Sequence, residues 1–205
     1  MNEEIFRWIN GWAGHFYFLD TCMIVLTNSV PYITFAMILF LWFNRKGEKG
    51  IERQYTVLYI VFSALLALLI NAGIHLVYYH PRSFVVHHVH QLIPHSADSS
   101  FVSDHAILAF SIAWILLFRR DKWGYPMLVW AIVISISRIF VGVHYPVDVV
   151  GSMVLSCGTS GLVLSLSKSK RFNLFAQMVF RLDYTVTKHI PFVPIYRHES
   201  LDKKG

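Results

Sequence analysis

The sequence predicts an all-α, polytopic membrane protein with five or six transmembrane helices and interfacial helices at its N-terminus. Composition is the first reason: 55% of the 205 residues are hydrophobic and only 15% are charged. Soluble domains are usually less apolar and carry about 25% charged residues. The second reason is that several apolar stretches approach the roughly 20 residues that a helix needs to cross a bilayer.

Five hydrophobic segments account for most of this apolar content. They are Pro31–Phe43, Tyr55–Tyr79, Ala106–Phe118, Gly124–Val141 and Val147–Leu166. Each is expected to be a helix, and the first and third, which are short for a span, are expected to extend into neighbouring residues. The segments show no internal repeat, so residues 31–167 are predicted to form one transmembrane domain.

The first 30 residues are predicted to lie at the membrane surface. Apolar residues recur there at helical spacing beside charged ones: Ile5, Trp8, Ile9 and Trp12. This pattern is typical of an interfacial helix. Residues 16–30 form either a second interfacial helix or a sixth span, and the charge of Asp20 favours the interfacial helix. The N-terminus lacks the basic region of a secretory signal, so no cleavage is expected.

Residues 168–205 are predicted to form a cytoplasmic tail. Its apolar residues are spaced as in an amphipathic helix on the membrane surface: Phe172, Leu174, Phe175, Met178 and Val179. Beyond Pro191 the tail is expected to be loosely ordered.

Positive charge is distributed unevenly among the links between segments. The first link, the third link and the start of the tail hold most of it: Arg45, Lys46, Lys49, Arg53, Arg119, Arg120, Lys122, Lys168, Lys170 and Arg171. Because cytoplasmic loops are enriched in Lys and Arg, the second and fourth links are expected to face the opposite, outer side together. The net charge of +6 therefore reflects topology, and no nucleic-acid partner is expected.

Three polar clusters lie where the apolar segments meet these outward links. They comprise His75 and Arg82, then Ser103, Asp104 and His105, then Arg138, His144 and Asp148. Ionisable residues are costly inside a membrane, so those at segment ends indicate function. The charge distribution places all three clusters on one face, which predicts a single site.

The residue types in these clusters suit the handling of a phosphate group. Arg82 and Arg138 can grip phosphate oxygens in bidentate fashion. Ser103 is a favoured N-cap, and the free N–H groups of a helix start make an anion pocket in which His105 can donate a proton. Asp148 can hold one nitrogen of the His144 imidazole protonated and leave the other free to attack phosphorus.

At these residues the sequence resembles the type 2 phosphatidic acid phosphatase family. The family pattern is Lys-x6-Arg-Pro, then Pro-Ser-Gly-His, then Ser-Arg-x5-His-x3-Asp. The third part is complete and begins at Ser137. The second has Val102 in place of Pro and Asp104 in place of Gly, and the first retains only Arg82, with His75 at the position of Lys.

The resemblance implies a role for each residue. His144 would be the nucleophile that forms a phosphohistidine, Asp148 would orient it, and His105 would protonate the leaving oxygen. The remaining residues would stabilise the phosphoryl group: Arg82, Ser103, Arg138 and, in place of the family lysine, His75. Asp104 would lie beside the phosphate pocket, where a carboxylate repels anions unless it faces away. The family needs no metal or other cofactor, so none is expected.

Within the family, Asp104, His75 and the run of residues 90–101 resemble bacterial undecaprenyl-diphosphate phosphatases of the bacitracin-resistance type. The implied substrate is the C55 isoprenoid diphosphate, hydrolysed on the outer face of the bacterial plasma membrane. Phosphatidylglycerophosphate and phosphatidic acid are alternative substrates. Substrate and membrane lipids are the only partners implied.

Other interpretations remain open at this point. The link between the first two clusters contains five histidines that could bind zinc or copper, although solvated or headgroup-facing side chains fit their spacing better: His80, His87, His88, His90 and His95. A small transporter or lipid-binding protein would use the same charges as a substrate pathway, but the paired halves of transporters are absent. A catalytically silent scaffold would not need His105, His144 and Asp148 intact.

Overall fold

The computed structural model describes residues 1–44 and 49–187. These residues form nine helices and no strand. In chain order the helices are α1 (Asn2–Asn10), α2 (Tyr17–Asn28), α3 (Val30–Phe43), α4 (Lys49–Val77), α5 (Ser83–Val86), α6 (Asp104–Phe118), α7 (Gly124–Phe140), α8 (Pro146–Leu166) and α9 (Lys170–Thr187). Arg45, Lys46 and the tail beyond Pro191 lie outside the described residues.

The five predicted apolar segments coincide with α3, α4, α6, α7 and α8, so the all-helical prediction is confirmed. Two of the described helices, Gly50–Val77 and Pro146–Leu166, are long and apolar enough to cross a membrane alone. A third candidate span arises if α2 and α3, which meet at a bend of 49°, are taken together. Helices α6 and α7 are apolar but shorter. Most of residues 16–30 form α2, which continues through Ser29 directly into α3, the first predicted span.

Helix α6 occupies the centre of the bundle. Nine of its residues are buried, and they lie on all sides of the helix, as expected of a helix surrounded by others. Ala106 and Ala109 pack with Ala131 of α7 and Val149 of α8 in one apolar cluster. Such small side chains let neighbouring helices approach closely in a membrane protein.

Buried hydroxyl groups of α8 join it to α4 and α6. Ser160 lies 2.8 Å from Ser63 of α4, Oγ to Oγ. Ser152 donates to the carbonyl of Ser103 at 3.0 Å. In an apolar interior such bonds satisfy polar groups that water cannot reach, and here they set the register of α8 against its neighbours.

The link of residues 78–103 and the link of residues 141–145 meet at one end of the bundle, where Leu92 donates its N–H to the carbonyl of Val141. The positive residues Arg53 and Arg119 lie together at the other end. There α9 packs Ala176 and Phe180 against Leu58 of α4. The two links predicted to share a face therefore do so.

Gly151 of α8 lies against the segment that leads into α6. A Cβ atom at this glycine would lie 2.7 Å from Val102 and 2.8 Å from the ring of Phe101. Gly158, two turns further along the same helix, has open space at the same position. We expect Gly151→Ala to destabilise the protein by about 1–3 kcal/mol through overpacking. We expect Gly158→Ala to be neutral or to stabilise it slightly, because alanine is the better helix former.

Thermal unfolding of both variants in detergent checks this prediction. A Gly151→Ala variant as stable as Gly158→Ala would show that α8 does not constrain the segment before α6.

Candidate active site

The three sequence clusters converge on one cavity of about 130 Å³. Its lining contains six of the eight predicted site residues and three others: His75, Arg82, His95, Asp98, Val102, Asp104, His105, Arg138 and His144. Asp148 and Ser103 are fully buried behind this lining. The cavity lies at the end of the bundle where α4 and α7 finish and α6 and α8 begin.

His144 lies in the link between α7 and α8 and is 2% exposed. Pro146 begins α8, which places Asp148 in its first turn. The Asp148 carboxylate accepts the backbone N–H of Tyr145 at 2.8 Å, and its Oδ2 is 3.4 Å from Nδ1 of His144. Ser100 also donates its hydroxyl to Oδ2. The carboxylate is thus fixed by three partners and faces one side of the imidazole.

Arg82 contacts the other side of the same imidazole. Its Nη1 lies 3.2 Å from Nε2 of His144. Guanidinium nitrogens can only donate, so Nε2 must be the acceptor and the proton of the neutral imidazole must sit on Nδ1, facing Asp148. Burial lowers the pKa of His144 to about 3, with Arg138 and Arg82 adding to the effect and the bond to Asp148 opposing it. The imidazole is therefore neutral at physiological pH, with its lone pair on Nε2.

The remaining donors of Arg82 are bound by the protein itself. Nη1 donates to the carbonyl of Val143 at 3.0 Å, and Nε donates to Asp98 at 2.7 Å. Hydrogen bonds from Arg82 and Ser96 lower the pKa of Asp98, against the opposing effect of its partial burial. Asp98 was not predicted as a site residue, and as one carboxylate in a polar link it offers no sequence signal of its own.

Arg138 differs from Arg82 in how many of its guanidinium donors the protein binds. Its side chain is 2% exposed and lines the cavity. Nη1 donates to Oγ1 of Thr27 at 3.0 Å, whereas Nε and Nη2 have no hydrogen-bond partner among the described residues. A buried cation with one uncommitted edge is suited to bind two oxygens of a phosphate. His105, in the first turn of α6, lines the same cavity.

Asp104 is bonded on its α4 side. Its Oδ1 accepts from the amide of Asn71 at 2.7 Å. The same amide donates to the carbonyl of Val102, and its oxygen accepts the N–H of Val102 at 2.9 Å. Asn71 therefore fixes the segment that leads into α6. The sequence did contain a signal for it, since an amide in the middle of an apolar segment needs a partner.

The predicted N-cap position of Ser103 at the start of α6 is confirmed, but its side chain makes no capping hydrogen bond. Its Oγ is buried with no partner in the described residues. Asn71 and Ser152 fix the backbone on both sides of it, so the start of α6 does not depend on a cap. Because the Ser103 hydroxyl does not accept from them, the first backbone N–H groups of α6 have no side-chain cap.

The histidine-rich link contributes to the site in part. His95 lines the cavity, with its ring centroid 6.3 Å from that of His144, and so is not simply solvated. His80 is partly buried, with Nδ1 3.7 Å from the second oxygen of Asp148. His87, His88 and His90 line a separate cavity beside α1. In residues 1–44 and 49–187, no three His, Cys, Asp or Glu side chains are grouped as metal ligands would be.

Comparison with known proteins agrees with this geometry. The sequence profile of the PAP2 superfamily matches residues 56–172, more than half of the chain. The chain is 42% identical to undecaprenyl-diphosphatase BcrC of Bacillus subtilis, over 76% of this chain and 79% of that protein. It is 32% identical to the bacitracin transport permease protein BcrC of Bacillus licheniformis, over 76% of this chain and 75% of that protein.

Among solved structures, Aquifex aeolicus LpxE superposes with a TM-score of 0.67 at 23% identity, covering 80% of this chain and 94% of that one. This similarity establishes a shared fold. Together with the profile match and the cavity formed by all three parts of the signature, it identifies the chain as a member of the PAP2 superfamily.

Proposed function

We propose that this protein is a membrane phosphatase that hydrolyses undecaprenyl diphosphate to undecaprenyl phosphate and inorganic phosphate through a phosphohistidine at His144. The observation that carries the proposal is the pairing of a neutral, buried imidazole, whose Nε2 holds the lone pair, with the uncommitted edge of Arg138 in the same cavity. The 42% identity to a protein named undecaprenyl-diphosphatase supports the choice of substrate.

The first chemical step is phosphoryl transfer to His144. The terminal phosphate binds to Nε and Nη2 of Arg138, and a phosphate oxygen replaces Nε2 of His144 as the acceptor of Arg82 Nη1. Nε2 then attacks phosphorus while the bond to the bridging oxygen breaks. His105, which enters this step protonated, donates its proton to that oxygen and becomes neutral, and Asp148 stabilises the positive charge that develops on the imidazole of His144. His75 and the hydroxyl of Ser103 are additional donors to the phosphate.

The second step is hydrolysis of the phosphohistidine. Water attacks phosphorus, the P–N bond breaks, and its electron pair returns to Nε2. Neutral His105 accepts the proton of the attacking water, which restores it as an acid for the next cycle. Each charge that develops on phosphate oxygens faces a guanidinium already in place, which is the main requirement of phosphoryl transfer.

Asp104 and Asp98 are the two carboxylates that line the cavity, and they bear on where a phosphate binds. Each is bonded to a donor, Asp104 to Asn71 and Asp98 to Arg82, so part of its negative charge is compensated. Their negative charge repels phosphate oxygens elsewhere in the cavity and so directs a phosphate to the edge of Arg138. This repulsion does not distinguish the three candidate lipids, because an isoprenoid diphosphate itself carries a second charged phosphate, so the choice of substrate rests on the similarity to undecaprenyl-diphosphatase.

We propose that the chain crosses the bacterial plasma membrane five times, with α2 and α3 together as one bent span. The other four spans are α4, α6, α7 and α8. The positive residues Arg53 and Arg119 lie at one end of the bundle and the cavity at the other. The positive-inside tendency supports a position of the cavity on the outer face, where the resemblance implies that the C55 isoprenoid diphosphate is hydrolysed. Recycling of this carrier lipid there would confer bacitracin resistance.

Transport is the second candidate function, because one relative is named a bacitracin transport permease. A transporter has to expose its site to both sides of the membrane in turn. Here the polar cavity lies at one end, and the centre of the bundle beneath it is filled by α6. A phosphatase explains bacitracin resistance without any movement of the antibiotic.

Release of inorganic phosphate by the purified protein tests the proposal. With undecaprenyl diphosphate and excess chelator, we expect turnover by the wild type. His144→Ala should lose activity by at least about a hundredfold, because no other group can accept the phosphoryl. His88→Ala, which removes an exposed histidine outside the cavity, should retain activity.

Unchanged turnover in His144→Ala would refute the assigned nucleophile. Loss of wild-type turnover on chelation would instead favour a metal-dependent reaction, and transport of bacitracin without phosphate release would support the permease.

The protonation state of His144 can be measured directly. Because burial lowers its pKa to about 3, and protonation would remove the lone pair on Nε2, the nitrogen should stay unprotonated from neutral pH to about pH 5. Nitrogen-15 NMR of histidine-labelled protein in detergent reports the protonation of Nε2, and comparison with His144→Ala assigns the signal. Titration of Nε2 near the ordinary value of 6.5 would contradict the buried, neutral nucleophile.

A further inference from the structure

We propose that Thr27 of α2 is a positioning residue for catalysis, which fixes the guanidinium of Arg138 so that one edge is presented to the phosphate. Thr27 lies outside residues 56–172, the region matched by the superfamily profile. The inference rests on the proposed function, because it assigns Arg138 to phosphate binding. It extends the active site to a segment that the three-part signature does not include.

The contact itself is short and fully enclosed. Nη1 of Arg138 donates to Oγ1 of Thr27 at 3.0 Å, and Thr27 is 0% exposed. Within the described part of the chain this is the only hydrogen bond of the Arg138 guanidinium, since Nε and Nη2 have no partner. The orientation of the whole planar group thus depends on one hydroxyl.

The position of this bond determines which atoms remain for the substrate. A guanidinium is planar and rigid, so an anchor at Nη1 leaves Nε and Nη2 as a parallel pair of donors. These two atoms match two oxygens of one phosphate in bidentate fashion. With Nη1 unanchored, the group can turn, and Nε and Nη2 no longer both face the phosphate.

The position of Thr27 is set by apolar packing beside the nucleophile. Leu19, Met23 and Thr27 are spaced four residues apart and so lie on one face of α2. Leu19, Met23 and Ile24 pack against Phe140, Val141 and Val143, the residues between Arg138 and His144. The same contacts that hold α2 in place also support the link that carries His144. Thr27 is therefore part of a rigid support and not a chance neighbour.

Thr27→Val is the direct test, because valine has the shape of threonine without the hydroxyl. We expect the KM for undecaprenyl diphosphate and the dissociation constant for orthovanadate, a phosphate analogue, to rise on the order of tenfold. Thr27→Ser keeps the hydroxyl and should restore both to near wild type. Thr21→Val is the matched control, since Thr21 is exposed on the same helix and bonds only to the carbonyl of Tyr17 among the described residues.

A double-mutant cycle with Arg138→Lys separates positioning from a general loss of stability. If Thr27 acts through Arg138, Thr27→Val should weaken vanadate binding little further in the Arg138→Lys background. Vanadate binding is measured by the rise in Tm that it causes, so it can be read in variants without turnover. Should Thr27→Val fail to fold, Thr27→Ala and Thr27→Ser provide the same comparison.

Wild-type binding of vanadate by Thr27→Val would overturn the inference. So would an equal loss of binding in the wild-type and Arg138→Lys backgrounds, or a Thr27→Ser variant as weak as Thr27→Val. Absence of phosphate release by the wild type would refute the proposed function separately, because the vanadate measurements do not require turnover.

Discussion

The whole arrangement depends on the fixation of one neutral imidazole from both sides. Asp148 faces Nδ1 of His144, and Arg82 faces Nε2. A free histidine interconverts tautomers and takes up a proton near pH 6.5, but this one is buried between a carboxylate and a guanidinium that assign each nitrogen a role. Burying two charges is costly, and here each is matched to a partner, Asp148 to Ser100 and Arg82 to Asp98.

The fold holds His144 between Asp148 and Arg82 by bringing the ends of several helices together. The link that carries His144 is only a few residues long, and several elements hold it: Asn10 of α1 donates to the carbonyl of Phe140 at 2.8 Å, and Ser83 donates to that of Gly142. Gly142 has a φ of +81°, and a Cβ there would lie 2.8 Å from the carbonyl of His90. Only glycine suits both conditions. The N-terminal helices are thus structural parts of the active site, beyond the interfacial role that their sequence predicted.

The site residues that could be predicted from the sequence are those at the ends of the apolar segments. Arg138, His144 and Asp148 could be predicted because their spacing around Pro146 is local. The distribution of charge among the links correctly placed the second and fourth links at the same end of the bundle. Thr27, Ser100 and Asp98 could not be predicted, because each acts through a partner at least 16 residues away and none has an unusual neighbourhood. Asn71 does stand out as an amide in an apolar segment, but the sequence does not show that its partner is Asp104, 33 residues away. At Ser103 the predicted N-cap position is correct, but the side chain makes no capping hydrogen bond, and Asn71 and Ser152 fix the backbone there instead.

The phosphorylated intermediate is the most direct test of this account. The protein is mixed with undecaprenyl diphosphate labelled with phosphorus-32 in its terminal phosphate and quenched in alkali, in which phosphohistidine survives, and the labelled peptide is then sequenced by mass spectrometry. We expect a transient label on Nε2 of His144, absent from His144→Gln and retained in Gly158→Ala. Label on another residue, or phosphate release at full rate with no labelled protein at any quench time, would contradict a histidine nucleophile held between Asp148 and Arg82.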